Sequence, residues 1–140
     1  YRIRSDKESR AIAGLSMGGY GSFLYSLHHP DMFCACAPLS AAVFDDTVME
    51  ARKNKSHKDL FNRLFGPGDE HWKQNNVLKI LSDWNQNNLP KIRYYIDCGD
   101  DDGLLDGNMQ VHQVMKQKGI RHEFRSKVCQ PDFLQKLTKP

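Results

Sequence analysis

The sequence predicts an α/β fold built on a mostly parallel sheet. Three observations predict it: short runs of small apolar residues recur along the chain, amphipathic helical patterns separate them, and a glycine-rich turn sits where the first run gives way to a helix. Residues 10–15 (RAIAGL) read as the first strand, of a kind suited to burial on both faces. A helix follows from about Gly18 to His29, with Tyr20, Phe23, Leu24 and Leu27 at helical spacing and Pro30 as its stop. Residues 33–43 (FCACAPLSAAV) read as a second buried strand running into a small-residue loop. Residues 91–98 (KIRYYIDC) form the third strand, with Gly99 at its end. The next helix runs from about Leu104 to Lys118, presents Leu105, Met109 and Met115 near one face, and is capped by Gly119. Residues 121–128 (RHEFRSKV) give a fourth strand, and 131–138 (PDFLQKLT) a final short helix opened by proline.

A long polar insertion, about Asp45 to Pro90, separates the second and third strands. It holds two helical patterns. One is Leu60, Phe61, Leu64 and Phe65, closed by Gly66-Pro67; the other is Val77, Leu78, Ile80, Leu81 and Trp84. The segment is too long for a plain connection. It reads either as a cap over the carboxyl ends of the strands or as an inert packed excursion.

Composition narrows the function classes. The chain has 140 residues and a net charge of +3, with acids and bases mixed along it. No basic block or aromatic-basic array points to nucleic acid. No apolar run approaches the ~18 residues of a membrane span. Cys34, Cys36, Cys98 and Cys129 form no C-x-x-C pair and read as buried apolar filler, with Cys34 and Cys36 on one strand face. A structural disulfide or metal site is the minority reading of these cysteines. No signal peptide is visible, but the chain opens at Tyr1 without an initiator methionine and reads as a piece of something longer.

The chemistry centres on GLSMGGYG, Gly14 to Gly21. Ser16 lies between Gly14 and Gly18 at Gly-x-Ser-x-Gly spacing, with a strand before and a helix after. A sharp strand-to-helix turn strains the serine backbone and exposes its hydroxyl. The two glycines are expected to prevent clashes between strand and helix, and the Met17 N–H to point at a developing oxyanion. The alternative reading is a structural glycine turn. Parallel sheets place their sites outside the carboxyl ends of the strands, where Asp100, Asp101 and Asp102 also fall. One of the three is placed to orient an imidazolium, although aspartates before a helix also serve as ordinary caps.

The stretches GLSMGGYGSFLYSLHHPDMF, IDCGDDDGLLDGN and KGIRHEFR, together with LFGPGDEHW in the insertion, resemble an esterase family of α/β-hydrolases. That family includes feruloyl and acetyl-xylan esterases, S-formylglutathione hydrolase, enterochelin esterases and mycolyltransferases. The resemblance covers nearly the whole chain to about Val128. It implies the α/β-hydrolase fold and a metal-free, cofactor-free carboxylic ester hydrolase or acyl transferase. The family's acid lies three residues after the strand-ending glycine, which carries the role to Asp102. Asp100 and Asp101 are then turn and capping residues.

The family's histidine follows the strand matching RHEFRSKV, in a Gly-Gly-His-x-Trp type loop. Here the sequence reads VCQPDFLQKLTKP, with no histidine after His122. His28, His29, His71, His112 and His122 each read as structural. The family also has about a hundred or more residues before the serine strand, including the second oxyanion donor. Without them RAIAGL is an exposed apolar edge. The chain therefore reads as one incomplete hydrolase domain, the C-terminal half of a larger whole. The resemblance implies an acyl ester of a carbohydrate as substrate, with an S-formylglutathione-type thioester second, and a non-catalytic binding relative as the other class. Location follows substrate: secreted or periplasmic for a carbohydrate esterase, cytoplasmic for the thioesterase.

Overall fold

The computed structural model describes residues 4–53, 63, 70–85, 87 and 91–127. After a 3-10 turn at Lys7–Ser9, the chain runs β1 (Ala11–Leu15), α1 (Met17–His28), β2 (Ala35–Leu39), α2 (Asp46–Lys53), α3 (Glu70–Asn75), α4 (Val77–Asp83), β3 (Arg93–Gly99), α5 (Leu105–Lys118) and β4 (His122–Lys127). The four strands form one sheet in the order β1-β2-β3-β4, and every pairing is parallel. The expected Leu60–Phe65 helix, the final helix at 131–138 and Cys129 lie outside the described residues.

Among the described residues the sheet is covered on one face. Helix α1 packs on β1 and β2, α5 packs on β3, and α4 bridges α1 and α5. The side chains aimed at this layer are buried: Cys36, Tyr94, Ile96 and Cys98 from the strands, and Phe23, Leu27, Val77, Leu81, Val111 and Met115 from the helices. The other face alternates with it. Ala11, Ala13 and Leu15 of β1 are exposed, and Leu15 retains 67% of its surface. Among the described residues β1 is the sheet edge, the exposed apolar edge that the sequence reading expects of RAIAGL here. Among the described residues the helices form a single layer, so period-2 alternation decides which side chains are covered.

Several sequence readings shift. Strand β2 ends at Leu39, short of residue 43, because Ser40 turns the backbone left-handed at φ 39°. Ala41 and Val43 are nonetheless buried, as a loop pressed between α1 and α5. Cys34 precedes β2, is half-buried, and donates its thiol to the Glu8 carbonyl at 3.2 Å, so it is not core filler beside Cys36. On α5 the packed face is Gly107, Asn108, Val111 and Met115, while Met109 faces solvent. Only small residues fit where that helix meets the loop, since a Cβ on Gly107 would overlap the Val43 carbonyl. Within the insertion, α4 is a core helix. Asn76 caps it, accepting from the Leu78 and Lys79 N–H groups, and Val77 and Leu81 are buried.

Candidate active site

Strand β1 passes into α1 through one residue, Ser16, at φ 57° and ψ −115°. That region is disfavoured for any residue with a Cβ and costs on the order of 1–3 kcal/mol. Neighbours enforce it. The Ser16 N–H donates to the Leu39 carbonyl and its own carbonyl accepts from Tyr20 and Ala42, each at 3.0 Å. The side chain makes no capping bond to α1 and the residue is exposed. Met17 is the first helical residue, so its N–H is among the donors an α-helix leaves without an internal partner. The positive end of the helix dipole adds to the attraction for negative charge there.

The glycines divide the work differently from the motif. A Cβ on Gly14 would overlap the Gly18 carbonyl, so Gly14 permits the crossing of strand and helix. A Cβ on Gly18 would meet nothing within 4 Å among the described residues, which corrects the clearance role expected of it. Gly19 is the second tight position, where a Cβ would lie 2.9 Å from the Leu39 carbonyl.

Asp102 lies three residues past Gly99, beyond the carboxyl end of β3. Its N–H donates to the Gly99 carbonyl at 3.3 Å, and its Oδ1 accepts the Leu104 N–H at 2.9 Å. The Ser40 hydroxyl, first, and the Leu104 N–H hold its carboxyl below the usual aspartate value. Beneath it, burial pushes the Cys98 thiol up. Leu15 of β1 and Asp97 of β3 both pair with Leu39 of β2. Ser16 and Asp102 thus flank β2 at the same end of the sheet, on strands about two spacings, or ~10 Å, apart.

The histidines fall elsewhere. His28 ends α1, and His122 opens β4 at the amino end of the sheet. His122 Nδ1 lies 2.7 Å from the Ile120 carbonyl, which can only accept, so Nδ1 carries the proton. In neutral His122 the Nε2 then accepts from His112 Nδ1 at 2.8 Å. His71 lies on α3 and is exposed. His57, on which the sequence reading placed no role, lies outside the described residues. Among those described, neither Ser16 nor Asp102 has a histidine partner. Sequence reasoning also missed Ser40, whose only local signal is a serine at a strand exit.

A cleft of about 440 Å³ opens along α5 just after Asp102. Its lining is mixed, with Phe44, Val48 and Met109 beside Asp45, Asp106, Gln110 and Gln113. Gln110 donates to Asp45 Oδ2 at 3.0 Å.

A serine strained into a one-residue elbow at the carboxyl end of a parallel sheet is the arrangement of the α/β-hydrolases. The chain belongs to the esterase family whose model, described as "Putative esterase", matches residues 1–129. It is 29% identical over 129 residues to an acetyl esterase of Caldicellulosiruptor saccharolyticus, covering 86% of this chain and 47% of that protein. A solved ferulic acid esterase matches with 33% identity and a TM-score of 0.72, over 91% of this chain and 47% of that one. The fluorophosphonate-binding serine hydrolase F of Staphylococcus aureus superposes with a TM-score of 0.74 at 21% identity, over 91% of this chain and 49% of that one. The chain thus spans about half the length of these relatives.

Proposed function

We propose that this chain is the nucleophile-and-acid portion of a serine carboxylic-ester hydrolase acting on acyl esters of carbohydrates. The strained, exposed Ser16 carries the reading: nothing in core packing calls for a serine held there. In the proposed reaction Ser16 Oγ attacks the ester carbonyl while a histidine takes its proton. Asp102 orients that histidine and stabilises its imidazolium form, and the Met17 N–H donates to the oxyanion. The alcohol leaves with the proton from the histidine, and water then cleaves the acyl-serine. No residue of the chain is assigned as the histidine, so the isolated chain represents the enzyme in part.

Two similarities favour an acetyl or feruloyl acyl group, those to the acetyl esterase and to the ferulic acid esterase, and the carbohydrate alcohol follows from the family resemblance. The solved S-formylglutathione hydrolase of Staphylococcus aureus is 20% identical, a likeness of fold alone.

The test is hydrolysis of p-nitrophenyl acetate, acetylated xylo-oligosaccharide and S-formylglutathione by the folded chain beside Ser16→Ala, with fluorophosphonate labelling to count reactive serine. Loss of a triad member costs on the order of 10⁴–10⁶ in turnover. A small Ser16-dependent rate is expected, with carbohydrate esters ahead of the thioester. Hydrolysis unchanged in Ser16→Ala would remove Ser16 from the mechanism. Ser16-dependent turnover of ~1 s⁻¹ or more would mean that the chain holds its own base, and His71 would be the first residue to replace.

A further inference from the structure

The Ser16 carbonyl and the Met17 N–H belong to one peptide unit. That unit is trans and planar, so whatever holds the carbonyl also aims the N–H in the opposite direction. One of its holders is the Ala42 N–H, which donates to the Ser16 carbonyl at 3.0 Å. The Ala42 N–H in turn shares its peptide with the Ala41 carbonyl, and that carbonyl accepts from Asn108 Nδ2 at 2.9 Å. The same Nδ2 donates to the Leu104 carbonyl at 2.8 Å. Asn108 lies on α5 and is fully buried. Its neighbour Gly107 permits the approach, since a Cβ there would overlap the Val43 carbonyl. Asn108 Oδ1 is buried with no hydrogen-bond partner among the described residues. An acceptor left this way lowers stability, and a leucine of similar volume would carry no such cost. Helix packing alone gives no reason for an asparagine here; its two donor bonds do.

We propose that Asn108 is a positioning residue for the oxyanion donor: its amide orients the Ala41–Ala42 peptide, which orients the Ser16–Met17 peptide and so the Met17 N–H. This rests on the reading of Ser16 as the nucleophile. The line runs from Asn108 Nδ2 to the Ala41 carbonyl, from the Ala42 N–H to the Ser16 carbonyl, and from the Met17 N–H outward. Each link polarises the next, because a carbonyl that accepts a bond makes its own peptide N–H a better donor. The Met17 proton is thereby aimed and made more positive before substrate binds, as a preorganised oxyanion donor requires. The Ala41–Ala42 segment has little room to tilt. It presses on α1 at Gly19, where a Cβ would lie 2.9 Å from Ala41 Cα.

The experiment is nitrogen-15 NMR of the 140-residue chain, following the Met17 amide proton resonance and the hydrogen-exchange rate of the Ala42 amide. Asn108→Ala removes both donors. Asn108→Ser is the second variant, should the first fail to fold: its hydroxyl can donate to the Leu104 carbonyl one turn back but is too short to reach Ala41. Leu81→Ala, in the buried face of α4, lowers stability elsewhere and is the control. In either Asn108 variant the Met17 amide proton is expected to move upfield. Ala42 exchange is expected to rise roughly three- to tenfold beyond the loss of global stability, the worth of one hydrogen bond. Leu81→Ala should leave the Met17 resonance in place. A Met17 resonance that does not move in a folded Asn108 variant overturns the proposal, even where Ala42 exchange rises, because the brace would then not reach the donor. Neither readout needs turnover. A failed esterase assay would leave the Asn108 relay standing, and an unmoved Met17 resonance would leave the esterase reading standing.

Discussion

The exits from β1 and β3 lean on the same segment, residues 39–43, and use it in opposite ways. The β1 exit is a single residue. Strand and helix cross so closely that Gly14 meets the Gly18 carbonyl, and the Ser16 side chain has nowhere to go but outward. The β3 exit is longer, residues 100–104, and Asp102 folds back to accept the Leu104 N–H. A short junction exposes its functional group through backbone strain; a longer one secures its group with hydrogen bonds. Both rely on a glycine pressed to backbone, Gly14 in one and Gly107 in the other.

If that comparison holds, the largest effects come from those two glycines. Gly14→Ala and Gly107→Ala each force a methyl into a backbone carbonyl, and each is expected to cost about 3 kcal/mol or more in urea unfolding. A loss under 1 kcal/mol at either would mean that its junction has slack. Next comes Ser16→Gly, which relieves the strained φ and is expected to stabilise the fold by about 1 kcal/mol while abolishing fluorophosphonate labelling. A neutral or destabilising result would show that the elbow holds no strain. Gly18→Ala is smaller: with open space around it and a helical position, it should gain up to about 1 kcal/mol.

The smallest effects are in pH. Burial first, then the charges of His122 and Lys116, hold His112 below the ordinary 6.5. A histidine so lowered gives stability that is present above 6.5 and lost as pH falls through its folded value. Asp102, lowered from 3.8, gives stability present above 3.8 and lost only at more acid pH, in a window shared with Asp45. Acidification should therefore lower the urea midpoint in two stages, and His112→Phe should flatten the first alone. One stage, or two that survive His112→Phe, would contradict the assignment.

The elbow was legible because its chemistry is local: the Ser16 geometry is set within a few residues by Gly14 and the start of a helix. Helix α4 was legible for the same reason, through the spacing of Val77 and Leu81. Gly18 misled because the motif gives spacing and not surroundings; the close approach falls on Gly19, whose neighbours Leu39 and Ala41 are far along the chain. Ser40 was hidden in FCACAPLSAAV, which reads as continuous strand. Its turn is made by partners at Asp97 and, through the next residues, Ser16 and Asn108. Helices α2 and α3 were not anticipated either. They are tied by Asp46 Oδ1, which accepts from Trp72 Nε1 at 2.9 Å and from Asn76 Nδ2 at 3.0 Å, links that no periodicity records.

Strand order that repeats chain order has a consequence for how the molecule is made. As the polypeptide leaves the ribosome, each strand needs only its predecessor in order to dock. The β1–β2 pairing closes over residues 16–34, whereas the β2–β3 pairing must wait for residues 40–92, a longer closure that costs about 1 kcal/mol more in chain entropy. Every partner that bends Ser16, from Leu39 to Ala42, has been synthesised before that wait begins. The serine elbow is thus assembled from chain that precedes the long closure, and the aspartate arrives at a frame already standing.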